Sequence, residues 1–164
     1  MTTAHTDDER LHVCFVCTGN ICRSPMGQNI FRHAIADAGL ENLVRVSSCG
    51  IGDWHVGQAA DRRARIELTE SGYPADHLAA VASPEHLGAD LLIAMDRGHL
   101  RHLQALGADP DRVRLLRSFD PAASGYLDVD DPYSGTQSDF ARVRMEIEAA
   151  VPGLLQWTMD KLER

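Results

Sequence analysis

Basic residues are in short supply in this chain of 164 residues, and lysine is almost missing: 16 lysines and arginines face 24 aspartates and glutamates, and Lys161 is the one lysine. The formal charge of −8 works against a polyphosphate partner, whose binding rests largely on neutralised phosphates, so nucleic acid is not expected. Long apolar runs are missing too. None exceeds five residues, as at Val13 to Cys17 and Leu91 to Met95, far short of the ~20 needed to span a membrane. The first ten residues, MTTAHTDDER, hold no apolar stretch; they give no sign of a cleavable signal peptide and read as a disordered leader, which makes the cytoplasm the default location. Cysteine is absent after Cys49, the four present standing at 14, 17, 22 and 49. A domain of this size needs no disulfide framework, so cysteines clustered this way point to metal binding or catalysis.

What is present is ordinary globular material, 44% hydrophobic and 24% charged, enough for one domain. Four short apolar runs read as strands: Leu11 to Val16, Leu43 to Ser47, Leu91 to Met95 and Val113 to Leu116. Their unbroken apolar character suits burial on both faces, as in a parallel sheet. Helical patterns lie between them. The first starts at Ser24-Pro25, with the serine expected as N-cap, and stops at Gly39. Others run from about Asp61 to Ser71, from Asp96 to Gly107, and from Ser138 to the C-terminus with an irregularity expected at Pro152. Strand alternating with helix predicts an α/β fold, whose ligands sit beyond the carboxyl ends of the strands.

One such end carries Cys17-Thr18-Gly19-Asn20-Ile21-Cys22-Arg23-Ser24, which joins strand directly to helix. Cys-x5-Arg arises by chance in many chains, but here the context is specific. Gly19 and Asn20 tolerate positive φ, so successive amides can turn inward as an anion nest. The following helix aims its positive end at the same concavity, and Arg23 can close the ring with two parallel donors. The same field favours a thiolate at Cys17, and Ser24 can both cap the helix and donate its hydroxyl toward the sulfur. The loop therefore fits a tetrahedral oxyanion with a nucleophile beneath it, and covalent catalysis through a phosphocysteine follows. A phosphorylated oxygen leaves poorly unless protonated, so a carboxylic acid is also required. Asp-Pro occurs at 109, 120 and 131, and the residues alone leave Asp120 and Asp131 as equal candidates. Trp54 and Tyr133, on two further loops, are of the type that walls an aryl pocket. Cys14 lies within the first strand and reads as core. His99 and His102, at i and i+3, read as solvated helix-face residues rather than metal ligands.

CTGNICRSP at 17–25, with DWHVG at 53–57, AMD at 94–96, RSFDP at 117–121 and DDPY at 130–133, resembles the low-molecular-weight protein tyrosine phosphatases. The likeness covers nearly the whole chain and is greatest to the mycobacterial-type members of actinobacteria. It implies a single phosphatase domain over 11–164, with a four-stranded parallel sheet in the order 2-1-3-4 and helices on both faces. It implies metal-independent hydrolysis of phosphotyrosine in proteins, with no cofactor, with tyrosine-phosphorylated proteins as partners and with phosphate and other oxyanions as inhibitors. By the same resemblance Cys17 is the nucleophile, Arg23 holds the phosphate and Asp131 is the general acid. Thr18, Gly19, Asn20, Ile21, Cys22 and Ser24 form the phosphate loop, and Trp54, His55 and Tyr133 the rim. Asn20, Ser24, Ser48 and His77 match positions that brace the loop, with His77 anchored by Asp96. A protective Cys17–Cys22 disulfide is a family property, as is export of some members without a cleavable signal. Ser134 departs from the second tyrosine common among relatives, which makes one wall more polar. Three rivals are weaker. Arsenate reduction needs resolving cysteines beyond Cys49, and the related arginine phosphatases carry threonine where this chain has Ile21. A mere phosphate-binding module needs neither nucleophile nor acid.

Overall fold

Strands that are apolar on both faces need cover on both sides, and the chain supplies it. In the computed structural model, which describes residues 8–163, β1 (Leu11–Cys17), β2 (Val44–Gly50), β3 (Leu91–Ala94) and β4 (Val113–Leu115) form one parallel sheet. Its order is β2-β1-β3-β4, as the resemblance implies. The helices are α1 (Arg23–Asp37), α2 (Arg62–Glu70), α3 (Pro84–Leu87), α4 (Arg97–Ala105) and α5 (Gln137–Leu162). Alternation along the strands feeds two cores. Val13, Phe15, Val44, Val46 and Ile93 pack with Phe31, Leu68, Phe140 and Ile147 of α1, α2 and α5. Cys14, Val16, Cys49, Leu92 and Ala94 pack with Leu103 of α4 and Leu87 of α3. β1 is paired on one side with β2 and on the other with β3, so strand order reverses at its carboxyl end, where Cys17 lies.

Two boundaries differ from expectation for physical reasons. β2 extends to Gly50, three residues past the expected end, because its polar and small residues are used inward. Ser48 is hydrogen-bonded within the core, and a Cβ at Gly50 would come 3.0 Å from Thr18 O, so glycine lets the Cys17 loop lie against the strand. α1 starts at Arg23, and Ser24 is not its cap; the cap position is Cys22, with no side-chain bond to the first turn. The four-residue α3, capped by Ser83, was not foreseen, while α5 continues unbroken through Pro152. Residues 1–7 of the expected leader lie outside the described residues; at 8–10, Asp8 accepts the Arg10 amide at 3.0 Å. No helix among the described residues is long and apolar enough to cross a membrane.

Candidate active site

The loop after β1 is turned by one residue. Asn20 adopts φ 60°, whereas Gly19 does not enter the left-handed region. Asn20 is held in that conformation by its side-chain amide and its backbone carbonyl, all of which are engaged. Its Nδ2 donates to Ser24 Oγ (2.7 Å) and Ser48 Oγ (2.9 Å), and its Oδ1 accepts the Ala80 amide (2.8 Å). Ser48 Oγ in turn donates to Gln28 Oε1 at 2.8 Å. His77 Nε2 lies 2.8 Å from Asn20 O. Burial lowers the His77 pKa, so a neutral ring donates this proton. The expected His77–Asp96 contact is not made. Asp96 caps α4 through Oδ1, which accepts the His99 amide at 3.0 Å, and its Oδ2 accepts Arg23 NH1 at 2.9 Å. Burial opposes the Asp96 carboxylate, but His99 and Arg23 beside it bring its pKa below the ordinary value.

Cys17 is buried, with Sγ 2.9 Å from Ser24 Oγ and 3.4 Å from the Ser24 amide. Because Ser24 Oγ already accepts from Asn20, its own proton is free to face the sulfur. This explains the missing cap: the hydroxyl expected to close the helix serves Cys17, and no side chain caps the first turn of α1 beside the loop. Cys22 in the same loop is a free buried thiol, and burial, then Asp61 and Cys17, push its pKa far up. Arg23 is buried across the loop. Its NH1 also donates to Val129 O (2.8 Å), and its NH2 lies 3.4 Å from Thr18 Oγ1 and 3.6 Å from Asp131 Oδ2. Its Nε is buried with no hydrogen-bond partner among the described residues.

A cavity of about 200 Å³ opens over this loop, lined by Cys17, Thr18, Gly19, Ile21, Cys22, Arg23, Trp54, His55, Asp131 and Tyr133. Of the residues expected at the site, only Asn20 and Ser24 do not line it; both are fully buried behind the loop. Of the three Asp-Pro pairs, only Asp131 reaches the cavity. Asp120 accepts the Ala122 amide (2.9 Å) in a turn, and Asp109 accepts that of Asp111 (3.0 Å). The segment bearing Asp131 is tied down by two arginines. Arg63, from α2, donates to Tyr133 O and Gly135 O, each at 2.9 Å, and Arg117 to Tyr126 O (2.9 Å) and Asp128 O (3.2 Å). Trp54 and Tyr133 remain 68% and 51% exposed on the rim, with the His55 ring 6.3 Å from that of Tyr133.

One neighbour overturns its expectation. His99 is not a solvated helix-face residue: it is 4% exposed, with Nε2 2.9 Å from Thr18 Oγ1. The cause is its place three residues after the cap Asp96, where α4 butts against the loop; that Asp-x2-His spacing was the one available signal. His102 does turn outward, with Nδ1 2.9 Å from Gly98 O. Cys14 is core, its Sγ 3.8 Å from that of Cys49.

A parallel sheet with a cysteine–arginine anion loop at its switch point defines a phosphatase architecture. The chain belongs to the low molecular weight phosphotyrosine protein phosphatase family, an enzyme family whose pattern matches residues 12–164. It is 54% identical over 155 residues to low molecular weight protein-tyrosine phosphatase A of Mycobacterium tuberculosis, covering 94% of this chain and 95% of that one. Among solved structures it is similar to a protein tyrosine phosphatase of Entamoeba histolytica with Hepes in the active site. That match has a TM-score of 0.86 at 26% identity, covering 94% of this chain and 99% of the other. It is also similar to the YwlE arginine phosphatase, in a cysteine-to-serine mutant with a phosphorylated active-site serine. There the TM-score is 0.79 at 30% identity, over 89% of this chain and 94% of that one.

Proposed function

We propose that this enzyme hydrolyses phosphotyrosine in proteins through a phosphocysteine, without a metal. Cys17 Sγ attacks phosphorus as the bond to the tyrosyl oxygen breaks, and Asp131 gives that oxygen its proton. Water then attacks the phosphocysteine, losing a proton to the Asp131 carboxylate as the phosphorus–sulfur bond breaks. Inorganic phosphate leaves and the thiolate is restored. Arg23 and the backbone amides of the loop hold the equatorial oxygens throughout.

The observation that carries this reading is the unpartnered, buried Arg23 Nε in a cavity that also contains Cys17 and, at its mouth, Asp131. A buried guanidinium N–H without an acceptor is costly, and an oxyanion satisfies it. The phosphorylated serine of the arginine phosphatase mutant supports covalent transfer on this scaffold. Apolar Ile21 with Trp54 and Tyr133 favours an aryl ester over phosphoarginine.

Cys17→Ser should abolish turnover while phosphate binding, made largely by backbone, survives. Asp131→Ala should lose about 10²–10⁴-fold on phosphotyrosine peptides. Its loss should shrink on aryl phosphates whose leaving group needs no proton. Equal loss on both substrate types removes Asp131 from the acid role, and preference for phosphoarginine peptides removes the substrate assignment. Activity should be indifferent to EDTA.

A further inference from the structure

The Thr18 hydroxyl meets two groups that can only donate to it. One is Arg23 NH2 at 3.4 Å, and an arginine has no acceptor. The other is His99 Nε2 at 2.9 Å. Which ring nitrogen of His99 carries the proton follows from the surrounding bonds. Nδ1 accepts the Asp96 amide at 3.3 Å, closing the capping box of α4. Nδ1 also approaches Asp96 Oδ1 at 3.2 Å, but that oxygen is bonded to the His99 amide and the ring lone pair faces the Asp96 N–H. Burial, then the Arg23 charge, lower the His99 pKa to about 4, so near neutral pH the ring has a single proton, on Nε2. Thr18 Oγ1 thus receives two donors, and its own proton has to go elsewhere. The side chain is exposed and lines the cavity over Cys17.

We propose that the Thr18 hydroxyl is a side-chain donor to the anion held over Cys17, and that His99 is the positioning residue that dictates where its proton points. This rests on the cavity being the phosphate site. A donor aimed before the anion arrives needs no reorientation during reaction, unlike a free hydroxyl rotor. It also gives the buried His99, outside the reaction sequence above, a task in it.

Calorimetric titration with inorganic phosphate near pH 7 tests this on the intact enzyme and five variants whose folding is checked by thermal unfolding. Thr18→Val, which keeps the shape and removes the hydroxyl, should weaken phosphate about tenfold, the scale of a hydrogen bond to a charged group. Thr18→Ser should bind like the parent. His99→Leu should lose as much as Thr18→Val, and the double variant no more than either, because both remove one interaction. His99→Gln, whose amide can donate from the Nε2 position, should restore most of the loss. A loss under threefold in Thr18→Val, additive losses in the double variant, or a His99→Gln variant as weak as His99→Leu each overturns the proposal. An unsubstituted enzyme that binds no phosphate overturns the reading of the cavity itself, whereas one that binds it while Thr18→Val binds equally well overturns only the hydroxyl's role.

Discussion

Gly52 shapes the Trp54 wall of the cavity without reaching the cavity itself. A Cβ there would overlap the six-membered ring of Trp54, so the indole rests on a backbone that only glycine can offer. Gly52→Ala should swing the ring off the rim and raise KM for a phosphotyrosine peptide about 3–10-fold, the scale of an aromatic contact. Competitive inhibition by inorganic phosphate, which needs the nest and not the wall, should not change. Equal losses in both would mean that the substitution disturbs the loop instead. At this scale the sequence was legible where chemistry is local. Cys17 to Ser24 is one contiguous stretch whose residue types announce a nest, and Trp54 and Tyr133 stood out as aromatics on loops that follow strands. His99 was not legible, because its partner Thr18 is 81 positions away and its own neighbourhood looks like any polar helix face. Ser24 was half legible for a related reason, since one hydroxyl suits both a helix cap and a thiol, and only the tertiary fold shows that it serves the thiol.

Two elements bring Cys17 and Asp131, the proposed catalytic groups, together, and they are joined by Arg63. Its guanidinium receives support from Asp61, the cap of α2, and lies 4.4 Å over the Phe140 ring while bonding two carbonyls of the Asp131 segment. The Asp61 amide in turn donates to Ile21 O of the Cys17 loop at 2.8 Å, so α2 ties the Asp131 segment to the Cys17 loop. Arg63→Ala should therefore lower kcat about tenfold or more, as expected for lost bonds to a charged donor, with phosphate inhibition within twofold of the parent. Arg63→Lys should recover little, because a point ammonium cannot reach both carbonyls as a planar fork does. The kcat and inhibition constants, measured together, decide it. Element boundaries were legible where apolar residues run unbroken, as in β1 and β3. They were not at the end of β2, whose polar Ser48 and bare Gly50 serve the loop rather than the core. Nor was the four-residue α3 visible, being shorter than any period that could reveal it.

Across the whole molecule, buried histidines mark both ends of the sheet. His12, at the start of β1, is bonded to Ser47 Oγ (2.6 Å) and Arg45 NH2 (2.8 Å), and burial, then the Arg45 charge, lower it to about 4, where His99 also lies. Unfolded, each takes up its proton near pH 6.5, so between 6.5 and 4 the unfolded chain binds more protons than the folded one. Stability is therefore full above pH 6.5 and falls as pH drops towards 4, by on the order of 2–3 kcal/mol for each of the two. Urea unfolding at pH 7 and pH 4.5 should show this decline, and His12→Gln should make it shallower; an unchanged slope would place the acid sensitivity elsewhere. The loop after β1, with the unpartnered Arg23 Nε beside it, has a thermodynamic consequence of another kind. Donors left open for an oxyanion mean that the native state, and not the unfolded chain, has affinity for the product. By mass action, phosphate at a hundredfold excess over Kd should add about 2.7 kcal/mol to the unfolding free energy and raise Tm by roughly 5–10 °C. Differential scanning fluorimetry across a phosphate series should show it, and Cys17→Ser should respond as the parent does. The conditions that stop turnover would then be the ones that best preserve the molecule against heat.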